Sequence, residues 1–193
     1  MTSNGRKYHT VPFAPWRVMS ADLCDLGQLQ NTIHGFVEVD VTVPRACLRE
    51  HKARTGETLS STGYVAHCLA QAVAADKEVQ AFRQGRNLVI FEDVDVALMI
   101  EGEIEGRKIV VNHIVRAAQL KSVEQIHHEI RAAQAGVKEK VRRQSRFRFL
   151  TALPWFVRSL VFRFIRGHAQ IWSGMAGTVA ITSVGMFGHG RMG

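Results

Sequence analysis

The stretch "NLVIFEDVDVALMIEGEIEGRKIVVNHIV" (Asn87–Val115) sets the architecture. It holds three short β-rich runs, at 88–91, 94–100 and 108–115, separated by turns that contain Glu and Gly. On either side the apolar spacing changes to a helical period. Upstream, residues 44–56 read as a helix ending near Gly56. "LSSTGYVAHCLAQAVAAD" (Leu59–Asp76) then offers Ser and Thr as caps before Val65, Leu69 and Val73, which stand four apart on one helical face. Downstream, Ser122 and Gln125 have capping-box spacing ahead of an apolar stripe of Val123, Ile126, Ile130 and Ala133, with Gly136 weakening the helix end. "FVEVDVTV" (Phe36–Val43) alternates apolar and polar residues at period two and predicts a half-buried strand. The order strand, helix, strands, helix, strand predicts an α/β two-layer sandwich with a mixed β-sheet.

At 193 residues the chain is expected to form a single domain, 1–193, with room for a substantial core. "MTSNGRKYHTVPFAPW" lacks the apolar run of a secretory signal. Cys24, Cys47 and Cys68 are odd in number and widely spaced, which fits neither a disulfide framework nor a zinc site. A reducing, cytoplasmic setting without a metal is the expectation.

The net charge of +8 is unevenly placed. Residues 1–139 carry 16 basic against 17 acidic groups, whereas 140–193 carry nine basic groups and no carboxylate. That asymmetry favours an anionic partner (phosphate, an acidic lipid surface, nucleic acid or another subunit), although a solvated basic helix accounts for it too. Within the basic 138–167 segment, "SRFRFLTALPWFVRSLVFRFIRG" (145–167) places Pro154 to suit a first helical turn. Val157, Leu160, Val161, Phe164 and Ile165 then follow a helical stripe. Arg158, Arg163 and Arg166 make it too charged to span a membrane. It can pack within the protein or between subunits, which comes first, or lie at a membrane surface.

The histidine pair His127–His128 has no partner at metal-ligand spacing and is expected to face solvent. "GMFGHG" (Gly185–Gly190) lacks a Walker lysine and the chain has no G-x-S-x-G elbow. The positive signal is Thr182 and Ser183, between "VAI" and "VGMFG". Hydroxyls at a strand end can donate to charge developing in acyl transfer, or they can cap a turn. Chemistry alone leaves both open.

Read in order, several segments resemble the catalytic domain of 2-oxoacid dehydrogenase dihydrolipoamide acyltransferases, which share the chloramphenicol acetyltransferase-like fold. "FVEVDVT" is similar to that family's first core strand and "GETLSSTGYVAHCLAQAV" to its "g-x-k-l-S-x-t" helix entry. "VQAFRQGRNLVIFEDVDVALMIEG" resembles "lNa…g…i…y…vnigiAv", "LKSVEQIHHEI" resembles "l-x-s-l-x-e-i-x-x-e-i", and "GTVAITSVGMFG" resembles "GTftiSNlGmfG". The matches run from about Phe36 to Gly188.

The resemblance implies transfer of an acyl group between CoA and a thiol acceptor, such as a dihydrolipoyl group supplied in trans. It implies a homotrimer or a multiple of it, with sites between subunits. Thr182 stands where the family has a serine that stabilises the tetrahedral oxyanion, and Ser183 where it has an asparagine. Arg17 resembles an N-terminal arginine that supports the site. The family's general base is a histidine in an H-x-x-x-D-G motif, yet this chain contains no Asp-Gly dipeptide. The expectation is a chain incomplete at its C-terminus, stopping before that motif, with His189 the one local substitute. Two alternatives stand beside the acyltransferase: a non-catalytic scaffold of the same fold, and a basic module for a membrane surface or nucleic acid, the latter unlikely.

Overall fold

The structure, a computed structural model, describes residues 2–3, 6–7, 21–22, 24–25, 32–104, 107–137, 139 and 153–183. In chain order the elements are β1 (Thr2–Ser3), β2 (Arg6–Lys7), α1 (Thr42–Thr55), α2 (Ser61–Ala75), β3 (Phe82–Gln84), β4 (Asn87–Val89), β5 (Val96–Ile104) and β6 (Arg107–Val115). They continue with α3 (Val123–Ala135), α4 (Trp155–Arg166), α5 (Ala169–Ala176) and β7 (Val179–Ile181). Short 3-10 turns cover Lys77–Gln80 and Ala118–Leu120. Contacts gather into two units, 1–35 with 144–164 and 36–143 with 165–193.

The larger unit is built on a three-stranded mixed sheet of order β6-β5-β7. β5 runs antiparallel to β6 and parallel to β7. The antiparallel register sets Val96 opposite Val115, Leu98 opposite His113 and Ile100 opposite Val111. Because side chains alternate along a strand, these pairs share one face of the sheet. That face is the core: Val96, Leu98, Ile100, Val111 and Val115 cluster with Ala66, Ala70 and Val73 of α2 and Ile126 and Ile130 of α3. Two helices over one sheet face make the second layer, so the mixed-sheet α/β architecture is present as read from sequence.

Local signals act as chemistry requires. Gly56 closes α1 in a left-handed conformation (φ 78°), which only glycine adopts without strain. The Ser60 side chain caps α2 by accepting from the Gly63 amide at 3.3 Å. Both halves of the α3 capping box form: the Ser122 hydroxyl accepts from the Gln125 amide and the Gln125 side chain accepts from the Ser122 amide. Gly136 caps the helix end.

Two expectations change, and one strand is added. Residues 32–41 form no strand; Ile33 and Phe36 are 98% and 96% exposed, and the chain turns helical at Thr42. The Phe36–Val43 alternation defines an apolar side, but a strand also needs a hydrogen-bonding neighbour, and among the described residues none pairs with it. On α2 the buried side is Gly63, Ala66, Ala70 and Val73, while Val65 is exposed. Of the spaced residues, Val73 is buried and Leu69 packs half-buried against the core, while the small side chains beside them let the backbones approach closely. A third strand, β3, pairs antiparallel with β4 around Gly85 (φ 62°) and was not read from sequence.

In the smaller unit, Pro154 stands just before α4, its carbonyl accepting from the Val157 and Arg158 amides. The Arg158 guanidinium forks onto Asp22, Nε to Oδ2 at 2.7 Å and Nη2 to Oδ1 at 3.2 Å. The apolar stripe expected on this helix divides: within this unit Phe162 is buried and Val157 and Val161 are half-buried, whereas Leu160 and Phe164 are exposed.

Candidate active site

The strand that carries the two hydroxyls is held by a compact polar junction. β7 joins β5 in register Val96↔Val179, Ala97↔Ala180 and Leu98↔Ile181. Ahead of it, the Asp95 amide donates to Thr178 Oγ1 at 3.0 Å, and the Asp95 carbonyl accepts from the Thr178 amide at 2.8 Å. The Asp95 carboxylate accepts from Arg116 Nη1 at 2.6 Å and from the Ala117 amide at 3.0 Å. Arg116 also donates to the carbonyls of Ser173 and Gly174 at the end of α5, at 3.2 and 2.7 Å, where a cation suits the helix dipole. Asp95, through its carboxylate and its backbone, and the Arg116 guanidinium thus tie together the start of β5, the end of β6, the end of α5 and the start of β7.

Gly177 makes the closure possible. Its backbone sits at φ 74°, ψ −178°, a region nearly restricted to glycine. A Cβ added there would lie 2.6 Å from the Asp95 carbonyl oxygen and 3.2 Å from the Ala97 amide nitrogen. The "GT" that opens the sequence signature therefore has a mechanical meaning: glycine for the close approach, threonine for the bond to Asp95.

Thr182 and Ser183 follow β7 directly. Burial alternates through them: Val179, Ile181 and Ser183 are half-buried, Ala180 and Thr182 exposed. Just past the strand, Thr182 is exposed like Ala180, and Ser183 is half-buried like Val179 and Ile181, which pack on the core. Arg17, His189 and the "GMFGHG" turn lie outside the described residues.

Three of the described histidines, His67, His113 and His127, make structural hydrogen bonds. His67 donates through Nδ1 to the Lys121 carbonyl at 2.9 Å. His113, opposite Leu98, sets Nε2 3.1 Å from Glu129 Oε1, and Glu129 Oε2 accepts from Lys121 Nζ at 2.6 Å. The pair His127–His128 divides, correcting the solvent-facing expectation. His128 is exposed, but His127 is 5% exposed and accepts through Nδ1 from the Ser60 amide at 3.0 Å. It joins the cap of α2 to α3, a role that helical spacing does not reveal.

Burial lowers the His127 pKa below 6.5; Arg131 and His128 add to the effect, and Glu57 opposes it. Above pH 6.5 the native and unfolded chains are both neutral here. As pH falls below it, the unfolded chain takes up a proton that the native state resists, so stability declines through the depressed native pKa. His127→Asn, which keeps an acceptor for the Ser60 amide, is expected to flatten this component. Urea midpoints of the two proteins between about pH 7 and about pH 5 provide the check.

Two cavities open on the larger unit. One of about 350 Å³ is lined by Gln84, Asn87, Val89, His168, Gln170 and Ile171. The other, about 320 Å³, is lined by residues of α1 and α2 including Cys47, His51, Arg54 and Tyr64. His51 Nε2 is buried there without a hydrogen-bond partner among the described residues. Neither cavity is lined by Thr182 or Ser183. Among the described residues no group of three or more His, Cys, Asp or Glu side chains is placed to hold a metal ion. The Asp95–Arg116–Gly177 junction went unread because its members are polar residues of ordinary spacing; the glycine before a β-rich run was its one legible sign.

No protein-family model matches the sequence, and no curated protein matches it. Solved structures do. A probable dihydrolipoamide acetyltransferase from Listeria monocytogenes 4b F2365 superposes with a TM-score of 0.60 at 17% identity, covering 99% of this chain and 70% of that one. The truncated catalytic core of the 2-oxoacid dehydrogenase multienzyme complex from Thermoplasma acidophilum gives 0.56 at 18% identity, over 69% of this chain. The Azotobacter vinelandii dihydrolipoamide acetyltransferase, in which a serine, a histidine and an asparagine have been investigated for their role in the catalytic mechanism, gives 0.58 at 16% identity, over 69% of this chain. The matched part spans 61% of the Thermoplasma chain and 56% of the Azotobacter chain. This chain, with its mixed sheet under two helices and the Gly177–Thr178 closure of β7, carries the fold of the dihydrolipoamide acyltransferase catalytic cores.

Proposed function

We propose that the protein is an acyltransferase that moves an acyl group between CoA and a thiol acceptor, a dihydrolipoyl group on a partner protein being the acceptor class that the fold suggests. The observation that carries this reading is Thr182: an exposed hydroxyl at the end of a strand whose position is fixed by Asp95, Arg116 and Gly177, on the fold of acyltransferase cores. In the reaction the acceptor thiolate attacks the thioester carbonyl carbon, a C–S bond to the acceptor forms, and the carbonyl oxygen becomes an oxyanion. Thr182 Oγ1 donates a hydrogen bond to that oxygen, and the intermediate collapses with cleavage of the C–S bond to CoA, which leaves as thiolate. A hydroxyl on a rigid strand suits this role because it loses little freedom when charge develops. Threonine supplies the donor that serine would, with χ1 restricted by its β-branch. Ser183, half-buried just past the strand, supports the strand end rather than the oxyanion. Arg17 is assigned to support of the site.

A thiol of reference pKa about 8.5 is only a few per cent thiolate at neutral pH, so the reaction also needs a general base, whose contribution is typically about 10²–10⁴-fold. No histidine of residues 1–193 stands in an H-x-x-x-D-G motif. A reducing compartment keeps the acceptor dithiol competent. Assembly as a homotrimer or a multiple of it is part of this reading, supported by the Thermoplasma match being the core of a multienzyme complex.

The test follows CoA release from acetyl-CoA with dihydrolipoamide as acceptor. The protein is expected to release CoA only when the thiol is present. Absence of thiol-dependent release from the native protein would exclude the acyltransferase and favour the scaffold of the same fold. Thiol-dependent turnover that His189→Ala abolishes would make His189 the base.

A further inference from the structure

Helix α4 carries a row of exposed apolar side chains along one side. On its inner side Phe162 is buried and Val157 and Val161 are half-buried. Arg158, on that side, is neutralised by its fork to Asp22, and this hydrogen bond holds the guanidinium pKa above its ordinary value. The outer side carries Phe156, Leu160 and Phe164, spaced four apart in one row and 59%, 69% and 60% exposed. Trp155 begins the helix at 73% exposure, and exposed Arg163 sits beside the row. Scattered exposed apolar residues are ordinary, but three in a row with a tryptophan at one end form a continuous apolar surface, the feature that marks an interaction site.

We propose that this face of α4 docks on the surface of an anionic phospholipid bilayer, lying in the plane of the interface. Length fits: twelve residues of helix measure about 18 Å, well short of a hydrocarbon core of about 30 Å. Among the described residues no helix is long and apolar enough to cross a membrane. Charge fits as well. From residue 140 onward the chain has nine basic groups and no carboxylate, so this region as a whole is attracted to an anionic surface. Phenylalanine and leucine enter the acyl boundary, tryptophan takes the headgroup level, and arginine keeps its charge at the phosphates while its stem lies over apolar neighbours. A second copy of the same face is a poorer occupant: two-fold pairing brings the arginines of one copy toward those of the other, and the helix has no acidic residue to offset them.

The full chain is centrifuged with vesicles of phosphatidylcholine alone and of phosphatidylcholine mixed with phosphatidylglycerol, at low and at high salt. Binding is expected on the anionic vesicles, weakening as salt rises. Leu160→Glu and Phe164→Glu are each expected to reduce partitioning by about tenfold or more, and Arg163→Gln by about fivefold. These side chains are exposed, so melting temperatures serve as a check that the variants fold. Independently, anionic vesicles are expected to shift the tryptophan emission to the blue, and Trp155→Phe is expected to remove most of that shift. Failure to bind anionic vesicles, binding that ignores the Leu160→Glu and Phe164→Glu changes, or an oligomer that Leu160→Glu dissociates without any vesicle binding would each overturn the proposal. The inference stands apart from the acyltransferase reading, since none of these measurements depends on turnover.

Discussion

Thr182→Ala in the native protein is expected to lower kcat/KM by about 100-fold, the typical loss of one oxyanion donor. The melting temperature is expected to stay within about 2 °C, because the side chain is exposed and surface changes usually move stability by no more than about 0.5 kcal/mol. Two further substitutions separate hydroxyl from shape. Thr182→Val keeps the β-branch and removes the donor, so it follows alanine. Thr182→Ser keeps the donor and restores most of the activity. The loss belongs in kcat more than in KM, since the oxyanion exists only in the transition state and the tetrahedral intermediate. A melting temperature that falls by many degrees, with activity per folded molecule unaltered, would instead make Thr182 a turn cap.

Gly177→Ala is expected to cost about 1–3 kcal/mol from its backbone conformation alone, and more once its Cβ meets the Asp95 carbonyl oxygen 2.6 Å away. The neighbour is backbone hydrogen-bonded to Thr178, so it cannot swing aside as a flexible side chain would. The melting temperature should drop by roughly 5–10 °C. Gly56→Ala is the matched control. Its φ of +78° is similar, but nothing lies within 4 Å of the added Cβ, so only the left-handed cost of about 1 kcal/mol applies. Similar losses at the two sites, read from thermal melts, would show that close approach to Asp95 is not what Gly177 provides. Because Gly177 also aims β7, its alanine variant should lose activity and stability together, unlike Thr182→Ala.

Much of the fold was legible because its signals are local. The α3 capping box is made by residues three apart, the α1 stop is a single glycine, and β5 and β6 are neighbouring apolar runs that can pair through a short turn. The place of Thr182 at the end of β7 was legible for the same reason, from a β-rich run followed by hydroxyls. What escaped the sequence depends on partners far along the chain. The bond that docks Thr178 on Asp95 joins residues 83 apart, and the one that buries His127 against Ser60 joins residues 67 apart. The alternation in Phe36–Val43 marks an apolar side, but only a neighbouring strand could have made it a strand. Periodicity also could not say which side of α2 would be covered; close approach to the sheet and α3 chose Gly63, Ala66 and Ala70 over Val65. Nor could one apolar stripe on α4 show that packing would bury Phe162 and leave Phe156, Leu160 and Phe164 outside. By itself the sequence determined the helices α1 to α4, the caps of α2 and α3, the paired strands β5 and β6 and the strand that carries the hydroxyls. The tertiary structure alone decided which face of each element is buried and which distant backbone a polar group meets, because burial and long-range hydrogen bonds exist only once the elements have been brought together.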